Sequence, residues 1–399
     1  MIDDAVPATT AELEAFLDDY DQHSAFFTAH RYQIYRHMLE HRPVVRSPRY
    51  GGFWVFSRYE DIRTIARDPE NFTSKEGEGV GFSFPLPLLP SESDGEDWRC
   101  YRAAINSALS LKAAQAARPR MRALADELLA RHRPAGRIDV VLDLAQPISG
   151  IVTLEILGLD PSTWREYAEP THDFVYGRVD WDEALRRMTA MTDRVRADVA
   201  EQRRRPTGGL IEFLLGFQYE GRRLTTHEIE GIVFLMHVGG LDTTQGSVGS
   251  TAVFLARHPQ YRRQMVQNPA IMADAIEELL RVLVSNQANT RTAQVDCEIG
   301  GVQIRKGDRI VLLWAAANLD ARQFECPFKV DFAREDVGTL SFGLGPHRCA
   351  GSHLARAQLQ TEIEALLAAA PEYRLIESEV ELARDTSGIF GYERVPILY

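Results

Sequence analysis

The chain has 399 residues, of which 45% are hydrophobic and 26% charged, with a formal net charge of -12. A core of any needed size fits that length, and length alone allows two or three domains. The sequence pI of about 5.5 argues against nucleic acid as the main partner, while leaving room for a local basic patch. No run approaches the roughly 18 consecutive apolar residues of a membrane span, so none is expected.

The acidic start "MIDDAVPATTAELEAFLDDYD" has no basic n-region and no apolar h-region. No signal peptide is expected, and a cytoplasmic location follows. The four cysteines, Cys100, Cys297, Cys326 and Cys349, form no CxxC and no close pairs, which suits a reduced compartment. At least one can be chemical; the ordinary reading of the other three is small buried hydrophobes.

Helical periodicity dominates the chain and predicts helices over 11–18, 31–41, 58–67, 97–110, 118–132, 141–157, 182–204, 226–257, 270–284 and 350–369. Strand-like segments are few: "GFWVFS" at 52–57, "CEIGG" at 297–301 and "RIVLLW" at 309–314. Near the C-terminus "YRLI" and "VPILY" suggest a further hairpin. No composition break divides the chain, so residues 1–399 are expected to form one mainly helical domain with small sheets drawn from both ends. The stretch 74–95, "SKEGEGVGFSFPLPLLPSESDG", reads as a long loop, and loops of that length are often functional.

The helix at 226–257 has both ends marked. Thr225 and Glu228 form a capping-box pattern, and Pro259 follows its close. Its middle, "GGLDTTQG" at 239–246, holds poor helix formers and polar side chains. Each glycine there costs about 1 kcal/mol relative to Ala. Either small residues let a neighbouring helix approach, or the polar side chains face a bulky ligand.

A second anomaly is "SFGLGPHRCAGSHLAR" at 341–356. A glycine loop delivers Cys349 to the start of a helix, where unpaired amides and the dipole favour a thiolate. Such a thiolate is a nucleophile or a metal ligand. A nucleophile needs a positioned base, and neither His347 nor His353 has an obvious catalytic-cysteine context. Zinc needs further ligands at metal spacing, which are lacking. Axial ligation of haem iron needs one thiolate and a flat slot, with the long helix on the opposite side.

Phe342, Gly345, Cys349 and Gly351 match F-x-x-G-x-x-x-C-x-G, "GGLDTT" precedes them, and Glu278 and Arg281 form E-x-x-R. In these three ordered signatures the chain resembles the cytochrome P-450 superfamily over essentially its whole length. Within it, "GGLDT", "CPFKVDF", "EQRRRP" and "DTSGIFG" are most similar to the soluble bacterial camphor-hydroxylase type. The resemblance implies a mainly α fold with small β-sheets, a triangular prism with a long central distal helix.

It also implies haem b (iron protoporphyrin IX) with Cys349 as axial ligand, Phe342 beside the sulfur, and the loop glycines Gly345 and Gly351. Trp98, Arg102, Arg291 and His347 would meet the haem propionates. Gly239 and Gly240 would open the helix for dioxygen and water, and Asp242 and Thr243 would form the proton-delivering acid–alcohol pair. Glu278 and Arg281 would join a buried network, with Lys329 standing where many relatives carry its third member. Candidate substrate contacts are Phe82, Leu86, Val238, Asn286, Ile389 and Phe390. The polar run "SNQAN" at 285–289 is either a solvated turn or a source of substrate contacts through Asn286 or Gln287.

The activity implied is monooxygenation of a small, largely apolar organic substrate by O2, in a monomer that needs no nucleic acid or membrane. A 2Fe-2S ferredoxin with its reductase would supply electrons, docking on Arg99, Arg102, Arg348 and Arg356. Oxidative coupling, peroxide-driven oxidation and non-catalytic haem binding are the alternatives; the acid–alcohol pair argues against peroxide.

Overall fold

The computed structural model describes residues 7–335, 338–384 and 388–399. Part of the acidic start and three residues of "DTSGIFG" lie outside these. The long central helix runs Thr226–Arg257 without interruption. Its start is set by the capping box: Thr225 Oγ1 accepts from the Glu228 N–H at 3.3 Å, and the Glu228 carboxylate accepts from the Thr225 N–H at 2.7 Å. The helices Gln146–Leu157, Arg165–Val175, Trp181–Arg204 and Ser352–Ala369 pack around it.

The segment Val140–Leu157 starts with a π-helical stretch, Val140–Ala145, and continues as α-helix. Among the described residues it alone is long and apolar enough to cross a membrane, yet 72% of it is buried against the rest of the chain. Its hydrophobicity serves packing on the long helix.

A five-stranded sheet joins the two ends of the chain in the order Val44–Ser47, Phe53–Phe56, Arg309–Leu312, Asn289–Ala293, Phe72–Thr73. Phe53 pairs with Arg309 in parallel register, and the other pairings are antiparallel. The two C-terminal segments pair antiparallel as expected, Arg374 opposite Leu398, though with residues 376–395 between them rather than a tight turn, and Pro396–Leu398 pairs on its other edge with Arg137–Asp139. The sequence pattern passes over the helices Arg165–Val175, Gly209–Gly216 and Pro259–Gln267. The first carries Pro170 inside it, which reads as a break. Of the three cysteines given the ordinary buried reading, only Cys100 is buried; Cys326 is exposed.

Glu278 and Arg281 are no surface pair. Their side chains are 4% and 2% exposed, joined by two 2.8 Å hydrogen bonds from Arg281 Nε and Nη2. The third member is Arg334, whose Nε reaches both Glu278 oxygens at 3.1 and 3.2 Å. Lys329 contributes its carbonyl, while its ammonium lies 3.6 Å from Asp331 and is largely exposed. A flexible ammonium cannot supply the planar fork this carboxylate receives.

Candidate active site

A cavity lies between the long helix and the cysteine loop, bounded at one side by Glu78, Pro90 and Ser91 of the 74–95 loop. Cys349 lines its floor. The Cys349 N–H donates to the Phe342 carbonyl at 2.8 Å, closing the loop. Phe342 and Gly351 also line the cavity, and the Arg356 guanidinium sits 4.3 Å over the Phe342 ring.

The Cys349 side chain is open to the cavity, yet its withdrawal from bulk water pushes the thiol above its ordinary value. A hydrogen bond from the Gly351 N–H and the charges of Arg102, Arg348 and Arg356 pull it back. The helix itself begins at Ser352, with Gly351 as its N-cap, so its end alone does not secure the thiolate; a metal cation bound to the sulfur would. Gly345 lies off the cavity. At φ +74 it passes so close to the Ala66 carbonyl that a Cβ would sit 2.1 Å from that oxygen. Its role is a tight turn against a neighbouring helix.

One edge of the cavity carries buried ring nitrogens without a hydrogen-bond partner, Trp98 Nε1 and His347 Nδ1. His347 Nε2 faces Asp94 at 3.0 Å, which orients the ring. Arg102 donates to the Arg348 carbonyl at 2.8 Å, and the buried Arg291 to the Thr290 carbonyl at 2.6 Å. Neither guanidinium has an ion-pair partner among the described residues. Two unpaired cations with an indole and an imidazole nitrogen suit the two carboxylates of a flat group, so the residues fit haem b.

The opposite wall divides "GGLDTTQG" by function. Gly239, Gly240, Thr243 and Thr244 line the cavity. Thr243 Oγ1 donates to the Gly239 carbonyl at 2.9 Å. The helix is not opened here, contrary to expectation; space comes from absent side chains. A Cβ on Gly239 would meet only Leu235 at 4.0 Å, whereas on Gly240 it would sit 2.7 Å from Thr153 Oγ1. Gly246 is held equally tightly, 2.6 Å from Ser285 Oγ by the same measure. Gly240 and Gly246 thus permit a close approach of neighbouring segments of the chain, while Gly239 leaves space on the cavity side.

Asp242 does not line the cavity. It is 1% exposed on the far side of the helix, where Oδ1 accepts from Gln245 Nε2 at 2.9 Å and lies 3.2 Å from His172 Nε2. Burial holds its carboxyl well above the usual range, against the Arg178 charge and the Gln245 hydrogen bond. No spacing rule pointed to His172, which is 70 positions away in sequence (242 - 172).

His172 and, independently, His237 have pKa values pushed down to about 3, chiefly by burial. His237 stacks on Tyr167 with ring centroids 4.4 Å apart. Below its ordinary value of 6.5 the unfolded chain binds a proton that folded His237 refuses. His237 therefore costs stability as pH falls through that window. His237→Phe is expected to gain on the parent chain by about 1.4 kcal/mol per pH unit from pH 6.5 towards 3. Urea unfolding across pH checks this; a pH-independent difference contradicts it.

Of the expected substrate contacts, only Asn286 lines the cavity. Leu86 is 2% exposed and Val238 packs partly buried, both in the second apolar core. Phe82 turns into an aromatic cluster, 5.6 Å from the Phe84 and Phe174 rings. Ile389 forms a backbone bridge with Asn286, and Phe390 is buried beneath Arg31. Each apolar side chain found a drier neighbour than the cavity. Gln287 is buried too, bonded to Tyr35 and Val284, so 285–289 is not a solvated turn.

The sequence pattern of the family Cytochrome P-450 matches residues 178–369, which contain the long helix, Glu278 and Cys349. The probable cytochrome P-450 127A1 of Sinorhizobium fredii is 32% identical over 351 residues, spanning 86% of this chain and 83% of that protein. The chain belongs to the cytochrome P-450 family. A steroid C26-monooxygenase of Mycobacterium tuberculosis is 28% identical over 374 residues, 92% of each chain. Among solved structures, a mutant of P-450 EryK in complex with erythromycin B is similar with TM-score 0.85 and 25% identity, covering 93% of this chain and 97% of that one. The P-450 fold is thus the fold of this chain, and the family implies a haem-thiolate iron centre at its cavity.

Proposed function

We propose that this chain is a cytoplasmic monooxygenase that inserts one oxygen atom from O2 into a small, largely apolar organic substrate. The observation that carries the reading is Cys349 and Thr243 lining opposite walls of one cavity whose edge offers cationic side chains and unpartnered ring nitrogens. Haem b, held by Cys349 and at its propionates by Trp98, Arg102, Arg291 and His347, would supply the iron at which dioxygen is activated.

The remaining work falls to side chains. The Gly351 N–H tempers the sulfur's electron donation. The Thr243 hydroxyl, oriented by the Gly239 carbonyl, holds a water or proton beside the reacting oxygen. Asp242 supplies that proton from behind the helix. Leu235, Met236 and Val284 exclude bulk water, and Asn286 offers one polar contact to substrate. A steroid and erythromycin B, named with two relatives, are in keeping with an organic substrate.

Electrons would come from a 2Fe-2S ferredoxin and its reductase. The docking face is narrower than four arginines: Arg356 pairs with Glu277 and Arg102 turns inward, leaving Arg99 and Arg348 exposed.

Thr243→Ala tests the roof. Electron consumption is expected to continue while product per electron falls roughly tenfold or more, with peroxide released instead. Unchanged product yield removes Thr243 from the reaction.

A further inference from the structure

Behind the long helix lies a buried polar cluster that the cavity does not reach. His172 and Asp242 side chains are 2% and 1% exposed, with Nε2 and Oδ1 3.2 Å apart. The approach is out of line: His172 Nε2 and Asp242 Oδ2 both lack a hydrogen-bond partner. Gln245 Nε2 bridges Asp242 Oδ1 at 2.9 Å and the Tyr176 hydroxyl at 3.1 Å. The His172 and Tyr176 rings stack 6.1 Å apart. Arg178 and Glu393, joined at 2.9 Å and each 24% exposed, form the rim towards solvent.

We infer that His172 and Asp242 hold one exchangeable proton between them, making His172 a positioning residue for the proton that Asp242 passes towards Thr243. Ionising either group alone in this cluster would bury an uncompensated charge. Moving one proton from the Asp242 carboxyl oxygen to His172 Nε2 leaves the pair neutral overall, as carboxylate and imidazolium.

The cycle balances. Asp242, on turning from the cluster towards the cavity side of the helix, would give its proton to a water beside Thr243 and become a carboxylate. His172 Nε2, free in the neutral ring, would take a proton arriving from the solvent side past Arg178 and Glu393 and pass it to Asp242, while Nδ1 keeps its own proton throughout. One proton has then crossed from solvent to cavity, and both groups are neutral again. Arg178 cannot take this part, because a guanidinium does not release its proton at working pH. The charged and titratable groups facing the pair are Tyr176, Arg178 and Glu393, with Asp173 beside His172 tied to Arg187. The direction of transfer rests on the oxygen-inserting reading above; the shared proton does not.

Infrared difference spectroscopy of the full chain, haem-loaded and haem-free, tests the pair. Asp242→Asn identifies the carboxyl band of Asp242, and the fully buried Glu362 supplies a second, reference band. His172→Gln and His172→Phe are each expected to shift the Asp242 band and its titration midpoint while leaving the Glu362 band in place. In the loaded enzyme both are expected to lower product per electron by roughly tenfold or more, with unchanged substrate-induced spin shift. An Asp242 band with the same frequency and midpoint in both variants overturns the inference. Should His172→Phe fail to fold, His172→Gln alone decides. The infrared result stands apart from turnover, so loss of the monooxygenase reading and loss of the pair are told apart.

Discussion

Cys349→Ser is expected to abolish oxygen insertion and to loosen the haem. Cys349 offers its sulfur at the cavity floor, where its neighbours Phe342, Ala350 and Gly351 carry no donor side chain. A serine hydroxyl is a hard, weakly acidic oxygen and cannot push electron density onto iron as sulfur does. The fold should survive. Cys349 makes its loop-closing bond through its backbone N–H to Phe342, which serine retains. Turnover with a reducing system, alongside a thermal melt, separates the two. Loss of product with an unchanged melt of the haem-free chain is the expected result. Residual turnover near the parent level removes Cys349 from the iron.

Glu278→Ala is expected to cost about 3–5 kcal/mol of stability, the effect of leaving a buried charge unpaired. Arg281 is 2% exposed and would lose both hydrogen bonds to Glu278, retaining carbonyls of Asn318 and Pro327. Arg334 would lose its carboxylate, and the Asp331 N–H would lose an acceptor. The network ties the helix Met272–Val282 to the segment leading into the cysteine loop, so haem retention should fall as well. Lys329→Ala, by contrast, should change stability by under about 1 kcal/mol, since its ammonium makes only an exposed contact. Urea midpoints of the two variants make the comparison. Equal losses would contradict the assignment of Arg334 as the third member.

What could be read from the sequence follows from what sequence encodes locally. The long helix was legible to the residue at both ends, because Thr225, Glu228 and Pro259 act within a few positions of the backbone they cap. Cys349 stood out because its glycine loop and helix start are contiguous. The third member of the Glu278 network stayed open, with Lys329 at the expected position, because an irregular segment gives no period by which to find Arg334. His172 was invisible for a similar reason. It meets Asp242 only through the packing of two helices, one interrupted by Pro170.

The substrate wall was least legible. Phe82, Leu86, Val238, Ile389 and Phe390 are the right kind of residue for an apolar pocket, but they turn to other partners. Hydrophobic burial is non-directional, so composition tells that a side chain will be dry, not which cavity it will line. Asn286 could be found because a polar residue in a buried turn has few other places to go.

The central claim, that Cys349 is a thiolate bound to haem iron, is tested most directly by one spectrum. The haem-loaded chain is reduced under carbon monoxide and its Soret band recorded. The account predicts the strongly red-shifted band of thiolate ligation; a band in the position typical of histidine-ligated haem contradicts it.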